Sequence, residues 1–254
     1  MSIHEALSPP RPLVREAPVA IVCNGATLGV MMASPDDLED FALGFALTEG
    51  LIETGTEMQD LEVLEHEAGW EVRFWVDGTA GARLAERQRA MIGPVGCGLC
   101  GIDSLTKAIR ALPRLADGTL RLTHTEACDG PRLLRAHQPE HDRTRACHAA
   151  GFLQPSAGIV MAREDVGRHN AVDKLAGAMV RAGHAPETGA IVLTSRVSTD
   201  MIQKVVSIGA PVLIAVSAAT DYAVRLAEEA NLTLVTRARH GSCEVLAAWR
   251  RIQT

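Results

Sequence analysis

The run IVLTSRVSTDMIQKVVSIGAPVLIAVSAATDYAVRLAEEANLTLV, residues 191–235, decides the fold class. Ile191–Thr194 is a short apolar run of strand length. Ser198 stands where a helix cap is expected, and the helix should run to about Ser207. Pro211–Val216 reads as a second strand, Thr220 caps a helix to about Ala230, and Leu232–Val235 is a third strand. Strand, helix, strand, helix, strand predicts a layered α/β sheet with parallel connections. Ligands bind such sheets at the carboxyl ends of the strands. Those ends carry Ser195-Arg196, Ser217 and Thr236-Arg237. The first two precede helix N-termini, where backbone N–H groups and the dipole favour anions.

Upstream, Ile159–Met161 is a short apolar strand followed by a charged loop. A helix is expected from about Asn170 to Arg181, with Asn170 as cap and Asp173 in the first turn. The stretch of about 124–150 reads as polar, and clearer organisation begins after it. Nearer the N-terminus, Ala17–Ala33 reads as two strands joined at Asn24-Gly25, because both residues tolerate positive φ. Ser34-Pro35-Asp36-Asp37 reads as a helix start, with Ser34 as cap and Pro35 at the first helical position. Leu38, Phe41, Ala42 and Phe45 would face inward. Leu61–Leu64 and Trp70–Val76 read as a strand pair and Ala82–Ala90 as a charged helix. Asp103 or Ser104 could begin another helix, ending near Leu112. The expected organisation is a flexible arm over 1–14, a smaller α/β unit over 15–90 and a larger one over 91–254.

Among the 254 residues, 47% hydrophobic content suffices for a core, while 3% aromatic content leaves little surface for stacking bases. The net charge of −6 argues against a general nucleic-acid binder. No stretch approaches the roughly 18 apolar residues of a membrane span, and Met1–Pro10 lacks the pattern of a secretory signal. Six cysteines without such a signal fit a reducing, cytoplasmic setting. There they are expected as buried thiols, ligands or reagents rather than disulfides.

Two cysteines stand apart in Gly96-Cys97-Gly98-Leu99-Cys100-Gly101. The glycines permit a tight, exposed loop. A helix start just beyond would stabilise a thiolate, the form that attacks sulfur or binds metal. The loop could instead be half of a zinc site completed by Cys128, Cys147 or His148, a redox pair, or two buried thiols. A zinc deaminase needs His-x-Glu before Pro-Cys-x-x-Cys. The one His-x-Glu, His124-Thr125-Glu126, follows the cysteines, so deaminase chemistry is not expected. Cys147 and His148 are adjacent in sequence, and neighbours along a strand face opposite sides. A nucleophile–base pair is therefore not expected there. Cys23, Cys128 and Cys243 read as packing or incidental thiols.

The chain resembles the FdhD family of formate dehydrogenase accessory proteins, which act as sulfur carriers. The resemblance rests on the Gly96–Gly101 loop, His148-Ala149-Ala150, Glu164–Lys174, Arg196-Val197-Ser198 and Val216-Ser217-Ala218. Ala223–Ala227, Leu232–Val235, Asn24-Gly25, Asp40–Phe45 and Glu49-Gly50 add to it, so it spans about 17–236.

The resemblance implies a cytidine-deaminase-like layered α/β domain with a smaller α/β N-terminal subdomain, in a homodimer. It implies persulfide transfer from a cysteine desulfurase to a molybdenum bis-molybdopterin guanine dinucleotide, carried as cargo for formate dehydrogenase or a related molybdoenzyme. Cys97 would bear the persulfide and Cys100 would accept or resolve it. The cofactor, or a GDP-like nucleotide standing in for it, would meet Arg237, Ala238, Arg239, His240, Gly241 and Ser242. Arg196, His169 and Asp173 would join them. No resident metal is expected. The alternative is a non-catalytic chaperone for the same cofactor. The chain departs from the family pattern at Thr144–Cys147, Thr194-Ser195, Thr236-Arg237 and Leu246-Ala247, where a stacking aromatic for guanine is lost.

Overall fold

The computed structural model describes residues 11–91, 111–239 and 241–253. The cysteine loop, His240 and the helix start at Asp103 or Ser104 lie outside these residues. So does the arm up to residue 10.

β1 (Ala17–Cys23) and β2 (Ala26–Ala33) form the expected hairpin, with Asn24 and Gly25 both at positive φ. β3 (Gln59–His66) and β4 (Gly69–Trp75) complete a four-stranded sheet of order β2-β1-β4-β3. α1 (Leu38–Thr48) covers it, burying Phe41, Ala42 and Phe45 against Ile21, Val72 and Phe74. α2 (Gly78–Met91) follows β4 and is longer than expected.

Ser34 does not cap α1. Asp37 holds that place in the left-handed region, with no side-chain cap. Ser34 is buried, and its backbone N–H donates to Asp165 Oδ2 at 3.0 Å. A partner distant in sequence has displaced the local cap.

The polar stretch 124–150 holds α3 (His124–Arg135), α4 (Pro139–Thr144) and the start of β6 (His148–Gln154). α3 opens on a capping box: Thr123 Oγ1 accepts from Glu126 N, and the Glu126 carboxylate accepts from Thr123 N. β7 (Gly158–Asp165), α5 (Arg168–Arg181), β8 (Ala190–Leu193), α6 (Thr199–Ile208), β9 (Val212–Ala215) and α7 (Asp221–Glu229) follow. β10 (Thr233–Arg239) and β11 (Ser242–Ala247) form a hairpin, and a two-stranded parallel sheet joins β5 (Leu122–Thr123) to β12 (Ile252–Gln253).

The larger sheet has order β11-β10-β9-β8-β6-β7. β8, β9 and β10 are parallel, and β6 is antiparallel to β8. The central strands β8 and β9 are buried on both faces, so they read as continuous apolar runs. Alternate residues separate the faces. Ile191, Leu193, Leu213 and Ala215 pack with α5, α6 and α7. Val192, Val212 and Ile214 pack with Ala127 and Leu134 of α3. The result is a layered α/β architecture, as the alternation of elements predicts.

Candidate functional site

Because β6 runs against β8, its first residue lies beside the end of β8. Ala149 N donates to Thr194 Oγ1 at 2.9 Å, and His148 Nδ1 lies 3.4 Å from the same hydroxyl. β7 ends opposite His148, and α5 begins three residues later. On the other side, Val216 N donates to Leu193 O and Arg237 N to Ser217 O, which aligns the ends of β8, β9 and β10. α6 and α7 begin at this same edge. Thr220 caps α7 as expected, accepting from Ala223 N. Ser198 precedes α6 but makes no side-chain cap.

One edge of the sheet therefore gathers Arg168, Arg196, Arg237 and Arg239 with three helix N-termini. Arg196, Arg237 and Arg239 are exposed. Two hydroxyls here, Ser198 Oγ and Thr236 Oγ1, are buried without a hydrogen-bond partner among the described residues. Such groups are rare in folded proteins and call for an explanation. Burial pulls the His148 imidazole below its ordinary range, and Arg168 and His141 add to this. Burial lowers His169 as well, aided by Arg168 and Lys204 and opposed by Asp200, whose carboxylate is 3.6 Å away. The fixed positive charge of the edge thus comes from arginines. Oriented N–H groups, free hydroxyls and guanidinium forks are the chemistry that binds phosphate.

The expected cofactor segment is not a loop after the last strand. Arg237, Ala238 and Arg239 belong to β10, Gly241 makes the turn at φ 78°, and Ser242 opens β11. Thr236-Arg237 accordingly lies within a strand, past the point where pairing with β9 stops at Val235. Arg237 has φ 49°, in the left-handed region, where strain in a non-glycine residue often marks a functional position. Ala238 is buried. Arg237 and Arg239, two residues apart, share the opposite, exposed face.

His169 lies in the first turn of α5 at this edge, but Asp173 does not reach it. Asp173 is fully buried, accepting from Lys204 Nζ at 2.8 Å and from Thr48 Oγ1 at 2.6 Å. Burial pushes its carboxyl up, while Lys204 and Thr48 pull it down. Asn170 is not the cap of α5; Gly167 is. Asn170 Nδ2 donates to Met32 O and Asp165 Oδ1 instead. Lys174 pairs with Asp165 at 2.7 Å, both fully buried, and donates to Ser34 O. Much of the Glu164–Lys174 run thus ties α5 to the first sheet, while Arg168 and His169 face the anion-favouring edge.

Sequence reasoning gave His148, Arg168 and Thr194 no place at this edge: it weighed His148 only as a zinc ligand or as a base beside Cys147, and Thr194 only as a departure from the family pattern. For His148 and Arg168 the signal lay inside motifs already noted, His148-Ala149-Ala150 and Glu164–Lys174. What the sequence does not show is that β6 runs against β8, which brings His148 beside Thr194.

Among the other thiols, burial pushes Cys23 and Cys147 each up to about 11, so both are protonated at neutral pH. Cys128 and Cys243 were read as incidental thiols, but they form a disulfide between α3 and β11. Glu126 of the His-x-Glu triplet accepts from Ser156 N and Thr123 N, so its carboxylate is engaged as a cap.

The family model for the FdhD/NarQ family matches residues 14–253. A sulfur carrier protein FdhD of Agrobacterium fabrum is 44% identical over 242 residues, covering 95% of this chain and 89% of that protein. Its namesake from Brucella abortus is 45% identical over 237 residues, covering 93% and 88%. A crystal structure from Desulfotalea psychrophila, described as a formate dehydrogenase accessory protein, superposes with a TM-score of 0.73 at 27% identity. That match covers 95% of this chain and 90% of the other. The family model and these relatives cover most of its length, and the chain belongs to the FdhD/NarQ family.

Proposed function

We propose that this chain is a sulfurtransferase and sulfur carrier that loads a molybdenum bis-molybdopterin guanine dinucleotide before it enters formate dehydrogenase or a related molybdoenzyme. The observation that carries the reading is the coincidence of two features. Relatives that share most of its length are named sulfur carrier proteins, and the Cys97-Gly98-Leu99-Cys100 pair is intact.

In this reading the Cys97 thiolate attacks the outer sulfur of a persulfide on a cysteine desulfurase. The donor S–S bond breaks, a new one forms on Cys97, and the desulfurase cysteine leaves as thiolate. Cys100 then attacks the inner sulfur, releasing hydrosulfide and leaving a Cys97–Cys100 disulfide. Hydrosulfide with one proton replaces an oxo ligand on the cargo's molybdenum, and water leaves. An external dithiol restores the pair. The guanine dinucleotide arms lie along the edge formed by Arg196, His169, Arg237, Arg239, Gly241 and Ser242; His240, which the family resemblance adds to this set, lies outside the described residues. The unpartnered hydroxyls of Ser198 and Thr236 reach the phosphates. Asp173 acts at a distance, by fixing α5.

The strand order β7-β6-β8-β9-β10, with β6 antiparallel to β8, supports a deaminase-like domain over 91–254 beside a smaller unit over 15–90. The setting is the cytoplasm and the working form a homodimer. No described helix is long and apolar enough to cross a membrane.

The test is intact-mass analysis after incubation with a cysteine desulfurase and cysteine. One added sulfur on the wild type, absent from Cys97→Ala, is expected. No added sulfur on either, with GDP still bound, would replace this reading with that of a cofactor chaperone.

A further inference from the structure

His124 opens α3, and Cys128 follows one helical turn later, so both project from one face of the helix. Cys243 reaches the same point from the edge strand β11. The His124 Nε2 atom lies 3.4 Å from Cys128 Sγ and 3.7 Å from Cys243 Sγ. The three ligand atoms all fall within 4.8 Å of one another. Zn–S bonds of about 2.3 Å and Zn–N bonds of about 2.05 Å give a tetrahedral N···S edge of about 3.6 Å. Both nitrogen–sulfur separations fit that edge.

The donor set is selective. Two thiolates and an imidazole suit a thiophilic cation and disfavour calcium or magnesium. Cys128 is buried, Cys243 half-buried and His124 exposed, so the cluster is walled on the protein side and open to solvent on the other. Three protein ligands among the described residues leave a fourth position for water, as in reactive rather than closed zinc sites. His124, Cys128 and Cys243 all lie outside the Cys97 loop in sequence, so the proposal does not rest on the sulfur-carrier reading.

We propose that His124, Cys128 and Cys243 form a thiol-switched zinc site, in which the reduced pair binds one Zn²⁺ and the Cys128–Cys243 disulfide is the metal-free oxidised form. An external dithiol supplies two electrons and two protons to break the S–S bond and is itself oxidised to a disulfide. Zn²⁺ then displaces the two thiol protons to water. A two-electron oxidant of the diazene class reverses the cycle: the sulfurs join, the oxidant takes up the electrons and two protons, and the cation leaves. The switch acts on the join between α3 and the hairpin that carries Arg237 and Arg239.

The experiment uses the full chain with Cys97→Ser and Cys100→Ser, which removes the other thiol pair as a ligand. After reduction with a phosphine, Zn²⁺ is titrated against a chromogenic chelator and Co²⁺ is added separately for its absorption spectrum. One equivalent per chain is expected, with thiolate-to-cobalt charge-transfer bands. His124→Ala and Cys243→Ser should each weaken binding by more than about 100-fold, beyond what outer-shell changes produce. Circular dichroism checks that both variants keep the fold. Diamide should release the metal, and reductant should restore it. Absence of stoichiometric binding by the reduced chain would overturn the proposal. So would binding that survives Cys243→Ser, or metal retained after oxidation.

Discussion

Lys174 and Asp165 face each other at 2.7 Å with both side chains fully buried. Their value lies in being a matched pair, because an uncompensated buried charge is costly. Lys174→Met leaves Asp165 with the N–H groups of Ser34 and Gly167 and the Asn170 amide, but without a counter-charge. Urea unfolding should show a loss of about 3–5 kcal/mol. The histidines predict a pH dependence of known sign. His148 and His169 are both held below the ordinary value, first by burial. The unfolded chain takes up their protons near 6.5. Between the lowered folded values and 6.5 the unfolded state therefore binds more protons, and stability rises with pH. The contribution is complete above that range and is lost as pH falls through it. The calorimetric Tm should drop as pH is lowered through about 6.5, and His148→Gln should flatten the drop. Residues of this kind are hard to read from sequence. Ser34 and Asn170 fit local capping rules, yet the structure engages them across 131 and 138 positions of chain. No local pattern encodes a partner at that distance.

At the scale of elements, the run 191–235 gives its strands and helices to within a few residues, because each apolar stretch is bounded by a turn or a cap. α3 escapes such reading because Gly130 and Pro131 lie inside it, although Thr123 and Glu126 form the T-x-x-E signature of a helix start. β6 is rich in Ala and Gly, and β11 alternates on only one face, so neither carries the apolar run that marks the central strands. The contact between α1 and α5 was equally hidden. A Cβ on Gly44 would lie 1.6 Å from Asp173 O, and one on Gly177 would lie 2.0 Å from Asp40 O. The two helices cross backbone to backbone, and Asp40 seals the crossing with Arg163 at 2.7 Å and Arg181 at 3.0 Å. Gly177→Ala meets main chain rather than a movable side chain. It should cost at least about 2–3 kcal/mol, the upper range for overpacking, despite the better helix propensity of alanine. Thermal unfolding of the variant checks this.

For the whole molecule, α5 is the part that two regions share. Its buried face, through Asn170, Asp173, Lys174 and Gly177, is fixed to the first sheet and to α1. Its first turn presents Arg168 and His169 to the edge where β8, β9 and β10 end. On the proposed function, binding at that edge would depend on how firmly the start of α5 is held, since phosphate contacts lose strength when their donors must be ordered on binding. Asn170 tests the linkage, because it touches Met32 O at 2.9 Å and Asp165 Oδ1 at 3.0 Å, on the tie rather than at the edge. Asn170→Ala removes two hydrogen bonds at about 0.5–1.5 kcal/mol each. If half of that appears as disorder in the first turn, GDP affinity falls roughly two- to twelvefold. Arg196→Ala, which removes a guanidinium at the edge itself, should weaken GDP by a similar or larger factor while leaving Tm unchanged. The two variants are told apart by calorimetry: Asn170→Ala lowers Tm and affinity together, whereas Arg196→Ala lowers affinity alone. Unchanged GDP binding in Asn170→Ala, with a lowered Tm, would mean that the first turn of α5 holds its place without the tie.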